Sequence, residues 1–331
     1  MKNKFRNIFF VIGVIAVIIM LFGMDMTYDD VVSCLRKAGL WFPVLLLLWM
    51  FIYAINAGAW YAIICNGLNG VKVPFMKVFK YTITGFALNS TTPVGLMGGE
   101  PYRIMELKPY VGIEKASSSV ILYVMMHIFS HFCFWLFSLL IYILSYFDQI
   151  NRTYVIIMSI FVVACMIGIY FFIKGYRSGM VMKLMRFLQR MPFIKNKITK
   201  LIEKKEETFV QIDNQIKDLY RNNKYTFFTS LSLEFIARVV SCLEVYIILY
   251  IFSADASFFD SILILAFTSL FANLMFFSPM QLGAREGGFV MSVALLSIPY
   301  SYGVFMALLI RIREVVYVII GIALMKIGNN R

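Results

Sequence analysis

Charged side chains inside apolar stretches are the residues of this 331-residue chain that could do chemistry. Each costs at least ~2.5 kcal/mol at the centre of a bilayer on insertion scales, so such residues are usually paired or functional. An arginine guanidinium is a planar fork that suits phosphate, and backbone N–H groups at a broken helix also favour anions. Ten residues of this kind predict a site for an anionic group: Glu100, Arg103, Glu234, Arg238, Glu244, Arg285, Glu286, Arg311, Arg313 and Glu314.

Two of the apolar stretches combine these charges with proline and glycine. In the first, 78–105, Pro93 precedes Gly98, Gly99, Glu100 and Arg103. In the second, 261–298, Pro279 precedes Gly283, Arg285, Glu286 and Gly287. Proline removes a backbone donor and glycine favours non-helical angles, so we expect both helices to break near their middles. Because broken backbone at membrane depth needs protein or a watery cavity around it, both stretches are predicted to be re-entrant hairpins.

The two breaks resemble each other, since a glutamate follows each proline after seven positions, at Glu100 and at Glu286. One long apolar run precedes each hairpin and another follows it, which gives a first repeat over 40–146 and a second over 225–327. The loop charges place the flanks of the two hairpins on opposite sides of the membrane. Paired interrupted segments in such an inverted repeat indicate a transport site near the midplane.

The composition excludes a soluble protein. Hydrophobic residues make up 61% of the chain, charged residues only 15%, and the mean hydropathy is +0.80. A helix needs about 20 apolar residues to cross a bilayer. One uncleaved first run and five longer runs supply the predicted spans: 8–23, 40–65, 116–146, 154–173, 225–252 and 302–327. We therefore predict one all-α polytopic membrane domain over 1–331, with six full transmembrane helices and two re-entrant hairpins; the alternative is eight kinked spans.

The cations lie in alternate loops, as expected where Lys and Arg accumulate on the cytoplasmic side. The segment 174–224 carries 13 of them against five acids, and its apolar residues predict amphipathic helices on the anionic inner surface. Both termini are then cytoplasmic, and the plasma membrane is the expected location. The net charge of +13 is thereby assigned to inner loops, so nucleic-acid binding is not expected. The oligomeric state stays open.

Two further pairs of residues have helical spacing and are candidates for proton coupling or for an ion pair. Glu234 and Arg238 lie four apart on one helix face, where they could neutralise each other. His127 and His131 have the spacing of two metal ligands on a helix, but no carboxylate or thiol follows at a matching position. Packed or pore-facing histidines are therefore favoured over a metal, with a proton relay as the alternative. No metal or cofactor is predicted.

Enzyme signatures are missing from the sequence. It has neither a Gly-x4-Gly-Lys-Ser/Thr phosphate loop nor a Gly-x-Ser-x-Gly elbow, so direct ATP drive and serine hydrolysis are unsupported. The five cysteines lack CxxC spacing, which indicates neither a disulfide framework nor a zinc site. Movement of a substrate would be passive or coupled to an ion or proton gradient.

Three sequence features together resemble the flippase-like transmembrane family of lysylphosphatidylglycerol synthase: Pro93-x-Gly95-x-x-Gly98-Gly99-Glu100-x-x-Arg103, Leu282-Gly283-x-Arg285-Glu286-Gly287, and Arg311 in the last span. The resemblance covers nearly the whole chain. It implies a membrane domain that moves a lipid with a modified or anionic head group between leaflets. Some members carry a fused cytoplasmic aminoacyl transferase. This chain ends at Arg331, directly after its last predicted span, so it resembles the translocating part without the synthase.

The resemblance and the intramembrane charges together imply a lipid flippase or scramblase. The expected substrate is an anionic or aminoacylated phospholipid, or a polyprenyl-phosphate-linked lipid. Its predicted binding residues, beside the glycines of the two breaks, are Arg285, Glu286, Glu100, Arg103 and Arg311. Two alternatives belong to other classes. A membrane enzyme would modify lipid head groups with Glu100 and Glu286 as acid and base, and a scaffold would recruit a separate cytoplasmic lipid-modifying enzyme to 174–224.

Overall fold

The computed structural model describes residues 28–67, 73–91, 98–149, 151–178, 181–191, 195–252, 255–275, 281 and 283–326. The regular elements within these ranges are all helical. In chain order they are α1 (Tyr28–Ala38), α2 (Trp41–Gly67), α3 (Phe75–Thr91), α4 (Gly99–Ser145), a 3₁₀ turn (Phe147–Gln149), α5 (Arg152–Ser178), α6 (Val181–Leu188), α7 (Lys195–Asn222), α8 (Lys224–Ile251), α9 (Phe258–Leu274), α10 (Ala284–Leu295) and α11 (Tyr300–Leu324). The first predicted span, 8–23, and both prolines, Pro93 and Pro279, lie outside the described residues.

Three of the described helices are long and apolar enough to cross a membrane, namely Trp41–Cys65 within α2, the whole of α4, and Arg152–Arg177 within α5. Together with the absence of strands from the described ranges, they confirm an all-helical membrane protein. Helices α8 and α11 have 28 and 25 residues, which is sufficient length, but both carry charged side chains in their middles. The number of spans and the depth of the hairpins stay predictions.

The two predicted repeats contain the same succession of helices. In the first half, α2 of 27 residues and α3, described up to Thr91, come before Pro93, and α4 begins at Gly99. In the second half, α8 of 28 residues and α9 of 17 residues come before a break that starts after Leu274, and α10 begins at Ala284. The end of α9 therefore agrees with the interruption expected before Pro279, whereas the residues around Pro93 lie outside the described ranges.

A second interruption follows in each half. Within α4, Gly112 has φ of 82° and ψ of 170°, which separates an arm that starts at Gly99 from the long helix that ends at Ser145. A positive φ of this size strains any residue with a Cβ, so glycine is needed at this position. In the second half, α10 ends at Leu295 and α11 begins at Tyr300. Each proline-containing break is thus followed by a short arm and then by a long helix.

Helices from the two halves pack against each other around a shared interior. Helix α2 lies along α8, α3 lies against α11, and α4 contacts both α8 and α9. Within the first half, α3 crosses the start of α4 so closely that a Cβ on Gly99 would lie 2.1 Å from the carbonyl oxygen of Gly85. A larger residue at position 99 would force these two helices apart. The close crossing therefore fixes the position of Glu100 and Arg103, which follow on α4.

The predicted basic segment forms α6 and α7, and α7 docks on the bundle. Ile212 and Ile216 of α7 are buried in the core that α2, α3 and α4 build. Between them, the Asp213 carboxylate accepts the backbone N–H groups of Val181 at 2.9 Å and of Met182 at 3.0 Å. The first N–H groups of a helix have no partner within the helix, and a carboxylate there is favoured by the helix dipole. One helix of the segment therefore caps the other.

The cap predicts a measurable loss of stability. Asp213→Ala removes a charged acceptor from two helix N–H groups, and the expected cost is about 1–2 kcal/mol of unfolding free energy. Thermal unfolding of the purified protein in detergent would measure it as a lower midpoint. Asp218→Ala, at an exposed position on the same helix, is the matched control. Equal midpoints for the two variants would contradict the capping role.

Candidate functional site

A cavity of about 410 Å³ lies between the two halves of the bundle. Its volume is within the range of small-molecule sites, and its lining comes from α2, α3, α4, α8, α9, α10 and α11. The glutamate, arginine and histidine residues that line it are Glu100, Arg103, His127, His131, Glu234, Arg238, Glu244, Arg285, Arg311, Arg313 and Glu314. Nine of the ten intramembrane charges found in the sequence therefore converge on one space, and the tenth, Glu286, contacts one of them.

The largest group of charges joins α10 to α11. Arg311 donates to Glu286 Oε1 from Nη2 at 2.6 Å and from Nε at 3.1 Å, and its Nη1 donates to Glu314 Oε2 at 3.1 Å. Arg285 forms an ion pair with the other oxygen of Glu314. Two arginines and two glutamates thus alternate, and the group is neutral as a whole. Such compensation is required because both central residues are buried, with Arg311 5% and Glu314 9% exposed.

A second ion pair joins α11 to α8. Arg313 donates from Nε and Nη2 to the two oxygens of Glu244, at 2.9 and 3.0 Å. This bidentate geometry is the strong form of an arginine–carboxylate contact. The guanidinium also lies 3.8 Å from the ring centroid of Trp49 on α2. Arg313 and Glu244 are only 1% and 3% exposed. This buried ion pair therefore connects α11 with α8, and the contact with Trp49 connects it with α2.

In the first half, Arg103 lies among aromatic rings and forms an ion pair with Glu100. Its guanidinium carbon is 5.0 Å from the ring centroid of Phe86, and its Nη1 is 3.5 Å from Glu100 Oε1. Asn89 organises the break beside this pair. Its amide donates to Glu100 at 2.9 Å, and its carbonyl oxygen accepts the backbone N–H of Gly99 at 2.7 Å. One side chain of α3 therefore fixes both the start of α4 and the orientation of Glu100.

The third group of polar residues lies where α4 meets α8. His127 Nδ1 is 2.7 Å from Glu234 Oε2, while Arg238 donates to Ser130 Oγ at 2.6 Å and to the carbonyl oxygen of His127 at 2.8 Å. Glu234 and Arg238, which share one face of α8, therefore both bind α4. His131, one turn after His127, lines the same cavity. The described ranges contain no group of three or more His, Cys, Asp or Glu side chains that could hold a metal.

The predicted glycines lie at the two helix starts. Gly98 immediately precedes α4, and Gly283, with φ of 76°, immediately precedes α10. Gly287 donates its N–H to the carbonyl oxygen of Gly283 at 2.9 Å, and the N–H of Gly99 binds Asn89. These two N–H groups are therefore engaged within the protein, and the guanidinium groups supply the positive charge that faces the cavity.

Several residues that complete the site were not among those predicted to bind substrate. Glu244, Arg313 and Glu314 were recognised as intramembrane charges, but nothing in the sequence assigned them partners on other helices. Asn89 was missed altogether. Its signal was an amide in an apolar helix shortly before a proline–glycine break, where unpaired backbone N–H groups need acceptors. Sequence reasoning thus found the charges of the site but not the contacts among them.

The buried ion pair between Arg313 and Glu244 predicts how single and double substitutions change the free energy of unfolding. Arg313→Met leaves a buried carboxylate without a partner, which costs about 3–5 kcal/mol of unfolding free energy, and Glu244→Leu leaves a buried guanidinium in the same way. The double variant replaces both charges by apolar groups and is expected to recover most of the loss. Thermal unfolding of the wild type, both single variants and the double variant measures the coupling. Additive losses would show that the pair is not a unit.

A comparison with known protein families gives a match that covers the residues of the cavity. The sequence model of the family described as "Lysylphosphatidylglycerol synthase TM region" matches residues 8–321 of the 331, a range that includes both helix breaks and all of the cavity-lining charges. No curated protein and no solved structure matches the chain. The family match confirms the resemblance seen in the two proline–glycine motifs. The chain therefore belongs to the family of the lysylphosphatidylglycerol synthase transmembrane region.

Proposed function

We propose that the protein is a flippase or scramblase that moves a phosphate-bearing lipid between the leaflets of the membrane. The observation that carries the proposal is the cavity of about 410 Å³, which five arginines line inside a helical membrane domain. Guanidinium groups bind phosphate in a bidentate manner, and they do so more strongly where water is scarce. Anionic and aminoacylated phospholipids and polyprenyl-phosphate-linked lipids all carry the required group.

Among the ion-paired arginines, Arg285 can release its carboxylate partner and bind a lipid phosphate with the smallest loss of free energy. Its side chain is 27% exposed, whereas those of Arg311 and Arg313 are 6% and 2% exposed. When Arg285 releases Glu314, that carboxylate keeps Arg311 at 3.1 Å and is not left as an unpaired buried charge. A phosphate can therefore take the place of Glu314 at Arg285 while the rest of the network stays intact.

The proposed topology has six full spans and two re-entrant hairpins, with both termini on the cytoplasmic side of the plasma membrane. Helices α8 and α11 cross the bilayer because their charged side chains face the cavity or another helix of the bundle. The hairpins consist of α3 with the first arm of α4, and of α9 with α10. The matching succession of helix lengths in the two halves supports an inverted repeat, which would bring both breaks to the midplane.

Leaflet exchange in proteoliposomes tests the function. Vesicles with the purified protein should exchange head-group-labelled phosphatidylglycerol between leaflets faster than protein-free vesicles, and the lipid should be recovered chemically unchanged. A dependence of the rate on an imposed proton gradient would identify coupled transport. Conversion of the head group without exchange would instead identify the membrane enzyme, with Glu100 and Glu286 as its first candidate residues.

The role of Arg285 predicts a graded effect in the same assay. Arg285→Ala should slow exchange about tenfold or more, because a charge-assisted contact of roughly 1.5–3 kcal/mol is lost. Arg285→Lys should restore the rate only in part, since it keeps the charge but not the fork. Arg152→Gln, at an exposed position at the start of α5, is the control. Full exchange by Arg285→Ala at a normal protein level would remove this residue from the mechanism.

Labelling in intact cells tests the topology. The five native cysteines are first replaced, and single cysteines are then placed at Lys200 in α7 and at Asp148 between α4 and α5, both of which are exposed. A membrane-impermeant maleimide should label position 148 at once and position 200 only after permeabilisation. Labelling of position 200 in intact cells would reverse the proposed orientation.

A further inference from the structure

Four of the five arginines that line the cavity have a carboxylate within 4.0 Å. The pairs are Arg285–Glu314, Arg311–Glu286, Arg313–Glu244 and Arg103–Glu100. Arg238 differs from them in the part of the chain that the structure describes, because both of its hydrogen bonds go to neutral oxygens, Ser130 Oγ and the carbonyl of His127. Arg238 is therefore the cavity arginine that has no carboxylate within 4.0 Å among the described residues, and Glu234 on the same helix attracts it from a longer distance.

One nitrogen of the Arg238 guanidinium, Nη1, is available to donate a hydrogen bond to a ligand. Its Nε and Nη2 are engaged at 2.6 and 2.8 Å, whereas Nη1 donates to none of the described residues. His131 lines the cavity one helical turn beyond His127, and its Nδ1 has no hydrogen-bond partner within the described ranges. An anion in the cavity can accept from Arg238 Nη1 and, in the appropriate tautomer, from His131. The resulting charge-assisted hydrogen bonds would offset the cost of holding Arg238 away from bulk water.

Glu234 presents an acceptor one helical turn before Arg238. Its Oε2 is held by His127 at 2.7 Å, but its Oε1 is buried and lacks a hydrogen bond to any described residue. Glu234 is 1% exposed in total and lines the cavity. The hydroxyl of Tyr123, which also lines the cavity, interacts with the Glu234 carboxylate but makes no hydrogen bond of normal geometry to the described residues. A buried carboxylate oxygen without a donor is costly, so this position favours a ligand that brings an O–H or N–H group.

We propose that Arg238 and Glu234 form a two-point head-group site. Arg238 binds the phosphodiester of a lipid, and Glu234 accepts a hydrogen bond from a hydroxyl or ammonium group on the same head. The inference rests on the proposed function and adds the class of head group to it. A phosphate bound at Arg238 opens no existing ion pair, in contrast to one bound at Arg285, so the lipid binds at Arg238 first.

The site predicts a preference that two matched lipids can reveal. Phosphatidylglycerol and phosphatidylmethanol are phosphodiesters of the same charge, but only the glycerol head carries hydroxyl donors. Short-chain dihexanoyl forms of both can be titrated into the detergent-solubilised protein, with the Kd measured by calorimetry. The wild type should bind phosphatidylglycerol about tenfold more tightly, since the other lipid leaves Glu234 Oε1 without a donor. Glu234→Gln should reduce this ratio to about threefold or less.

Arg238→Gln tests the phosphate contact. It should weaken the binding of both lipids about tenfold or more, while Arg238→Lys weakens it less. The glutamine amide nitrogen takes the position of Arg238 Nε and can still donate to Ser130, so the variant is expected to keep its fold, as thermal unfolding would verify. Arg152→Gln and Glu207→Gln, at exposed positions outside the cavity, are controls that keep the wild-type Kd values.

The possible results separate this site from the proposed function. Unchanged binding of both lipids by a folded Arg238→Gln protein overturns the phosphate contact. Equal affinity of the wild type for the two lipids overturns the role of Glu234. A wild type that exchanges lipids in proteoliposomes but binds neither short-chain lipid refutes this site and leaves the proposed function standing. A wild type that binds them as expected but exchanges no lipid supports the site and refutes transport.

Discussion

The burial of charge in a helical membrane domain is the constraint on which the rest of the structure depends. Removing an ion from water costs several kcal/mol, and only a partner with good geometry offsets that cost. Helix α11 carries the densest set, Arg311, Arg313 and Glu314, and none of them is more than 9% exposed. Their partners lie on α8 and α10. The mutual arrangement of these three helices is therefore tied to the ion pairs, and the cavity lies where the pairs meet.

In the first half of the chain, a buried charge is stabilised mainly by aromatic rings and not by a network of ion pairs. Arg103 is 1% exposed and is surrounded by the rings of Trp60, Phe86 and Tyr123 at 5.0 to 5.8 Å, so cation–π contacts supplement its ion pair with Glu100. The close approach of α3 to α4 at Gly99 brings this residue to the cavity wall. One half thus contributes an aromatic enclosure and the other a network of ion pairs, and the two face each other across one space.

Much of this architecture could be predicted from the sequence, because its signals are local. The proline–glycine motifs indicated where α4 and α10 begin, and the hydrophobic runs indicated the long helices. The partners of the charges could not be predicted, since they depend on how helices pack. Spacing placed Glu234 and Arg238 on one helix face, but it could not indicate that His127 and Ser130 on α4 bind them. The interruption at Gly112 lies between the predicted hairpin, 78–105, and the predicted span, 116–146, but the sequence did not single out this glycine as its position.

The central claim is that a lipid head group enters the arginine-lined cavity. The most direct measurement is an experimental structure of the protein in nanodiscs that contain phosphatidylglycerol, at a resolution that shows head groups. The account predicts a lipid phosphate inside the cavity, within hydrogen-bond distance of Arg238 or Arg285, with an acyl chain leaving between helices toward the bilayer. A cavity that holds only water, while phosphatidylglycerol binds solely to the outer surface of the helices, would contradict the account.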